Sequence, residues 1–301
     1  MQNAGFSELR LNWRYLAFDV HPDQLRAAIE GARVMGFIGL NLTGPHKLLA
    51  VNLVDVLDDQ AKAWGAVNTV VFEMRIAGGH WVPLGSVAAE QVGDVRSRGC
   101  NTDGDALVHS LREEFSRESW RGASVLLLGA GGAARSTALR LAQEEVGKIC
   151  LANRTPERTI ILAAEIARHF PKVKVEICFP SKRENQRRVD LDPSITVITG
   201  FPDEQIDLVV NATSLGLKAD DPLPISAEWL RTKRPPFVYD LVYRPRETGF
   251  LRAAREAGCL AANGAGMLLY QGARALELWT GQTAPLATMR AALEENLKQY
   301  V

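Results

Sequence analysis

A lysine, a carboxylate and several amide and hydroxyl side chains recur at predicted element ends in the first third of this chain. Asn41 and Thr43 close a predicted strand, and Lys47 lies one turn into the helix that follows. Asn68 closes a further turn, and Asn101 and Asp103 stand at the head of another helix. In open α/β sheets ligands sit beyond the carboxyl ends of strands, so polar groups there are the ones able to meet a ligand. This set suits a small polyhydroxylated substrate with a reducible carbonyl. A lysine ammonium can give a proton to the developing alkoxide while hydride arrives from a nicotinamide. A carboxylate beside it can orient the amine and a substrate hydroxyl. Taken singly, each residue has a plainer role, Asp103 as a helix cap and Asn68 as a turn residue. Their joint placement carries the chemical reading.

A second signal lies in Ser124 to Arg135, SVLLLGAGGAAR. Ser124–Leu128 reads as a strand and Ser136–Gln143 as a helix. Between them Gly129, Ala130, Gly131, Gly132, Ala133 and Ala134 fit G-x-G-x-x-G/A in the context that gives the pattern meaning. The first glycine permits the turn and the second lets backbone approach a pyrophosphate. Ala134 allows close helix packing, and free N–H groups at the helix start face phosphate. The next strand, Gly147–Ala152, ends in Asn153-Arg154-Thr155-Pro156-Glu157-Arg158. An NAD site places a carboxylate here for the ribose 2′-hydroxyl. Arg154 and Arg158 instead suit a 2′-phosphate, so NADP(H) is favoured over NAD(H). Thr155 and Pro156 read as N-cap and first helical residue. The plainer alternatives are a ligand-free turn and two solvated surface arginines.

These segments need a scaffold of two domains, which 301 residues allow. Apolar residues make up 47% and charged residues 23%, as in an ordinary globular protein. The 35 basic and 35 acidic residues cancel, leaving no nucleic-acid footprint. No apolar run reaches membrane-spanning length, and MQNAGFSELR lacks a signal-peptide core. Cys100, Cys150, Cys178 and Cys259 are scattered without metal-ligand spacing. Buried thiols in a reducing cytoplasm, and no metal, are expected.

The predicted elements alternate. Trp13–Val20 reads as a strand, Asp23–Met35 as a helix with apolar positions Leu25, Ala28, Ile29 and Ala32, and Gly36–Leu42 as a strand. This βαβ order predicts a mostly parallel sheet. His46–Leu57 reads as a helix, and Gly65–Val71 as a turn running into a strand. Trp81–Asp94 reads as a loop with a weak strand, and Asp105–Phe115 as a helix. Glu157–His169 is predicted helical, Lys172–Ile177 a strand, and Pro180–Pro202 an irregular polar stretch. Its cluster Lys182, Arg183, Arg187 and Arg188 reads as solvated loop. Gln205–Asn211 and Phe237–Val242 are predicted strands, and Thr248–Ala257, Gly264–Gly281 and Leu286–Gln299 helices. No internal repeat appears.

Eight blocks in order resemble the shikimate dehydrogenase family over almost the whole length. Asn41–Lys47 is similar to its N-V-T-x-P-x-K, Gly65–Thr69 to G-A-V-N-T, and Gly99–Gly104 to G-x-N-T-D-G. Gly129–Ala134 resembles its nucleotide loop and Asn153–Thr155 its N-R-T. Asn211–Gly216, Tyr239–Pro245 and Gly264–Gln271 resemble three further blocks. The resemblance implies NADP-dependent reduction of 3-dehydroshikimate to shikimate, in aromatic amino-acid biosynthesis. It implies Lys47 and Asp103 as the catalytic pair, with Thr43, Asn68, Tyr243 and Gln271 on substrate. Thr213, Leu241, Gly264 and Met267 would line the nicotinamide side. It also implies an α/β fold in which an N-terminal substrate domain with a mostly parallel sheet receives an inserted Rossmann-type NADP-binding domain. Residues 1–105 plus 265–301 would form the first and 106–264 the second, with a cleft that can close. A cytoplasmic monomer or homodimer is expected. Two departures stand out. Met1–Phe6 resembles the M-H-N-A-x-F part of a helix that, in the family, follows a first strand and an S-x-S pair gripping the substrate carboxylate. That strand and both serines are absent from this chain, and Gln2 replaces His, so a start assigned too late, or a truncated chain, is expected. Gly44 stands where the family carries an aliphatic residue. The alternatives are a quinate/shikimate dehydrogenase and a catalytically impaired NADP-binding regulator.

Overall fold

A computed structural model of the chain describes residues 1–88, 93–179 and 192–298. Two compact units divide it. One comprises Met1–Ala106 and Leu268–Asn296, the other Leu107–Met267 with residues 297–298.

The first unit opens with α1 (Gln2–Glu8), followed by α2 (Leu25–Val34), β1 (Gly39–Asn41), α3 (His46–Leu49), β2 (Val56–Leu57), α4 (Asp59–Trp64), β3 (Thr69–Arg75), β4 (Trp81–Pro83) and β5 (Val95–Cys100). Leu25, Ile29 and Ala32 form the buried stripe of α2. They pack with Ala50, Ala61, Val67, Val70 and Phe72. The Asp58 carboxylate caps α4 by accepting the Ala61 N–H at 2.6 Å, and Gly65 ends it in the left-handed region at φ 59°.

The sheet order is β1-β3-β5-β2, with β4 also on β3. This corrects the mostly parallel sheet expected for this unit. Its β1–β3, β3–β4 and β3–β5 pairs are antiparallel, and only β2–β5 is parallel among the described residues. Parallel neighbours need a crossover, usually a helix. Between β3 and β5 the chain instead turns at Gly78 and Gly79, both at positive φ, to make a hairpin with β4.

Two further expectations fail here. The predicted helix 46–57 stops at Leu49, continues as a short 3-10 turn over Ala50–Asn52, and gives way to β2. Asp55 causes the break: its carboxylate accepts the Ser97 N–H and hydroxyl at 2.7 and 2.8 Å, drawing the chain onto β5. The predicted strand Trp13–Val20 forms no ladder among the described residues. Its residues are largely apolar, but a strand needs a paired neighbour. Tyr15 is held instead by the Asn3 side chain, whose Nδ2 donates to the Tyr15 carbonyl and whose Oδ1 accepts its N–H.

The chain then enters α5 (Asp103–Phe115). The second unit holds β6 (Ser124–Leu128), α6 (Gly132–Gln143), β7 (Lys148–Ala152), α7 (Pro156–His169), β8 (Lys174–Phe179), β9 (Ile195–Thr199), β10 (Leu208–Asn211), α8 (Ala227–Lys233), β11 (Phe237–Asp240), α9 (Gly249–Glu256) and β12 (Leu260–Asn263). The helices α10 (Ala265–Thr280) and α11 (Leu286–Lys298) end the chain. Seven strands lie in the order β12-β11-β10-β6-β7-β8-β9, every neighbouring pair parallel. The strand order reverses between β6 and β10, the switch point where a doubly wound sheet opens a ligand crevice. β9 corrects the irregular stretch predicted over 180–202, and it is an edge strand with mostly outward residues. The basic cluster Lys182, Arg183, Arg187 and Arg188 lies outside the described residues.

Candidate active site

In the first unit, Lys47 and Asp103 meet. α3 presents Lys47, and its own carbonyl accepts the Val67 N–H at 2.8 Å, tying that helix to the turn before Asn68. The Asn68 N–H donates to the Cys100 carbonyl at the end of β5. Asn101 Oδ1 accepts the Asp103 N–H at 3.0 Å, while its Nδ2 donates to the Ala66 carbonyl. These bonds place one carboxylate where an ammonium and an amide both reach it. Lys47 Nζ lies 2.7 Å from Asp103 Oδ2, and Asn68 Nδ2 donates to Oδ1 at 2.9 Å. The Asp103 side chain is 4% exposed and that of Lys47 19%, so the acid is buried and the amine faces outward.

Asn68 is the hub. Its Oδ1 accepts the Thr102 N–H at 2.8 Å, and its Nδ2 also reaches Thr102 Oγ1 at 2.9 Å and Gln271 Oε1 at 3.5 Å. The Thr102 hydroxyl donates to the Gln271 carbonyl. Thr43 is exposed and its carbonyl accepts the His46 N–H. Tyr243, half-exposed beyond β11, belongs to the other unit. Sequence reasoning missed a polar chain that feeds the hub: Tyr15 OH donates to Asn41 Oδ1, Asn41 Nδ2 to Thr69 Oγ1, and the Thr69 hydroxyl to Asn68 Oδ1. Asn41 was visible as a strand-end amide, but nothing in the spacing linked Tyr15 to it.

In the second unit, β6 runs into the glycine turn at the switch point. Gly129 takes φ 117°, and a Cβ there would lie 2.8 Å from the Ala212 carbonyl oxygen. Gly131 is the N-cap of α6 with no side-chain cap bond, and a Cβ on Gly131 or Gly132 would meet nothing within 4 Å. Open space thus faces the first-turn N–H groups, which have no partner within their own helix. A pyrophosphate fits such a cradle. Ala134 is fully buried beneath it. At the end of β7, Asn153 Nδ2 donates to the Thr155 carbonyl, and Arg154 and Arg158 are exposed at the start of α7. Thr155 is the N-cap and Pro156 the first helical residue, as expected, yet the Thr155 hydroxyl makes no cap bond.

Thr213 follows β10, with its N–H and hydroxyl both donating to Asn211 Oδ1. Leu241 follows β11 and donates its N–H to the Asn211 carbonyl. Gly264 packs so closely on Leu241 that a Cβ would collide with its carbonyl oxygen. Met267 is in the first turn of α10. Among the described residues no group of His, Cys, Asp and Glu is arranged to hold a metal ion.

A doubly wound sheet with an uncapped glycine turn, carried in one chain with a buried carboxylate–ammonium pair, defines a dinucleotide-dependent dehydrogenase. Comparison with known proteins narrows this. Residues 1–70 match the shikimate dehydrogenase substrate binding domain, 111–179 the shikimate / quinate 5-dehydrogenase family and 264–294 the shikimate 5′-dehydrogenase C-terminal domain. Shikimate dehydrogenase (NADP(+)) of Methanopyrus kandleri is 40% identical over 300 residues, covering 99% of this chain and 90% of that one. A crystal structure of shikimate dehydrogenase in complex with NADP+ superposes with a TM-score of 0.75 at 32% identity, covering 98% of this chain and 89% of the other. Ligand-free 5-ketofructose reductase of a Gluconobacter strain gives 0.72 at 30% identity, over 98% and 92%. The chain belongs to the shikimate dehydrogenase family.

Proposed function

We propose that this protein is an NADP-dependent shikimate dehydrogenase that reversibly reduces 3-dehydroshikimate to shikimate in aromatic amino-acid biosynthesis. The observation that carries the reading is the 2.7 Å contact between Lys47 Nζ and Asp103 Oδ2, with Asn68 on the other carboxylate oxygen. Bound NADPH supplies the hydride. Lys47 gives a proton to the substrate oxygen that gains charge. Asp103 holds the ammonium in position and is itself fixed by Asn68. Thr43, Asn68, Tyr243 and Gln271 bind the substrate's hydroxyls and carboxylate. The turn Gly129–Ala134 holds pyrophosphate, Asn153, Arg154, Thr155 and Arg158 the 2′-phosphate ribose, and Thr213, Leu241, Gly264 and Met267 the nicotinamide side. On this reading residues 1–105 plus 265–301 bind substrate and 106–264 bind NADP. Homology to enzymes named for NADP and the arginines at the end of β7 support that cofactor.

A second reading, reduction of a keto-sugar, is favoured by the likeness to 5-ketofructose reductase. Following NADPH absorbance with shikimate, quinate and 5-ketofructose offered separately tests both. NADP-linked oxidation of shikimate is expected, and NADPH consumption with 5-ketofructose alone would select the second. NADP binding without turnover of any of the three would make the chain a regulator.

A further inference from the structure

We propose that Asp240 is a positioning residue for the nicotinamide end of the cofactor, acting through Asn211 and Thr248 on the two loops that follow β10 and β11. The inference rests on the reading of Thr213 and Leu241 as nicotinamide neighbours and deepens it.

Asp240, Asn211 and Thr248 are 0%, 0% and 1% exposed. The carboxyl is held by neutral donors: Asn211 Nδ2 and the Val242 N–H on Oδ1 at 2.9 and 3.1 Å, and the Thr248 hydroxyl on Oδ2 at 2.6 Å. No salt bridge to it occurs among the described residues. Burying a carboxyl without a cation is costly, and an apolar residue of similar size would pack more cheaply. What the acid provides is direction. An ionised carboxylate only accepts hydrogen bonds, so the Asn211 amide must turn its Nδ2 toward Asp240 and its Oδ1 toward Thr213. That Oδ1 takes the N–H and hydroxyl of Thr213 at 3.1 and 2.7 Å. Asn211 Nδ2 also donates to the Leu215 carbonyl, and Thr213 Oγ1 accepts the Leu215 N–H. The whole 211–215 loop therefore inherits its shape from the orientation of one amide.

On its other side Asp240 fixes the hydroxyl of Thr248, which in turn caps α9 by accepting the Leu251 N–H at 3.2 Å. Its bond to the Val242 N–H shapes the 241–243 turn directly. Neither loop has slack, since Ala212 abuts Gly129 and Leu241 abuts Gly264 backbone to backbone. A rotated Asn211 would release the Thr213 hydroxyl, while the backbone bond from the Ala212 N–H to the Leu128 carbonyl at 2.8 Å still anchors the chain beside the glycine turn of β6.

That asymmetry gives the test. NADP+ and 2′-phospho-ADP-ribose, the same nucleotide without nicotinamide, are titrated calorimetrically into the full-length protein, into Asp240→Ala and into Thr248→Val, with Thr248→Ser as the conservative control. Expected is a loss of about tenfold or more in NADP+ affinity in both disrupting variants, with the fragment unchanged within about twofold and Thr248→Ser near the parent. Thr248→Val keeps the carboxylate and carries the test if Asp240→Ala does not fold. Equal weakening of both ligands, or a lowered Tm with both affinities intact, would overturn the proposal as mere structural support. If the unsubstituted protein binds NADP+ and not the fragment, the nucleotide reading stands and the proposed division of labour is refuted. If it binds neither, the nucleotide reading itself fails.

Discussion

Lys47 and Asp103 are unequal partners. The acid is buried and doubly bonded, the amine is more open, so the outer group is the one free to exchange a proton with a ligand. Lys47→Ala is therefore expected to lower kcat by roughly 10²–10⁴, the range for loss of a general acid, and to lower Tm as well, because the buried Asp103 carboxylate loses its cation. Steady-state rates alongside thermal melts check this, and a variant retaining near-parental kcat would remove Lys47 from the chemistry. At the other end, Arg154→Ala should weaken NADP+ by roughly 1.5–3 kcal/mol, the worth of a charge-assisted hydrogen bond, and NAD+ far less. Comparing the two dissociation constants decides it, since equal losses would deny the arginine a 2′-phosphate. Both residues were legible in sequence because motif and element end coincided. Asp240 was not: it reads as an ordinary strand residue in FVYD, and its meaning comes from Asn211 and Thr248 converging on it.

Elements transmit these constraints. Gly129 combines left-handed φ with backbone contact to Ala212, so Gly129→Ala should destabilise the second unit by about 1–3 kcal/mol and weaken NADP+ as well. Urea unfolding and calorimetry measure the two effects. The β11 end predicts a pH signature. Burial, the largest influence, pushes the Asp240 carboxyl up from its ordinary 3.8 to about 6. Between these values the folded state keeps a proton that the unfolded chain has released, so stability falls as pH rises and levels off above about 6. Asp240→Asn lacks this titration. Its stability relative to the parent should rise by on the order of 3 kcal/mol from pH 4 to pH 7, and urea midpoints that stay parallel would refute a buried acid. At this scale sequence reading was strongest for the parallel unit, where apolar runs closed by Gly129 and by Asn153–Pro156 mark the first two strands. It was weakest where tertiary partners decide. The apolar run of Trp13–Val20 promised a strand that has no ladder, and Asp55 ended a helix by a bond to Ser97 that lies 42 positions away. β9 is wholly β-branched, ITVIT, and its strand signal was passed over because it lies inside an otherwise polar stretch.

For the whole molecule, homology and geometry converge on one reaction, and discrimination among its substrates is the open quantity. The expected outcome is a kcat/KM for shikimate with NADP+ exceeding that for quinate, read from initial rates with each acid, and the reverse order would move the chain to its quinate-using relatives. One last consequence concerns sulfur. All four cysteines are buried and free. Burial pushes the Cys100 thiol up to about 12, and burial also raises that of Cys259. Thiolate is the reactive species, so alkylating reagents should find no target in the native molecule and all four in denaturant. Cys100 sits at the end of β5 beside Asn101, and the other three belong to the nucleotide sheet's unit. Mapping which sulfur is labelled first under mild urea would therefore time the opening of the first unit against that of the second, with no cofactor or substrate required.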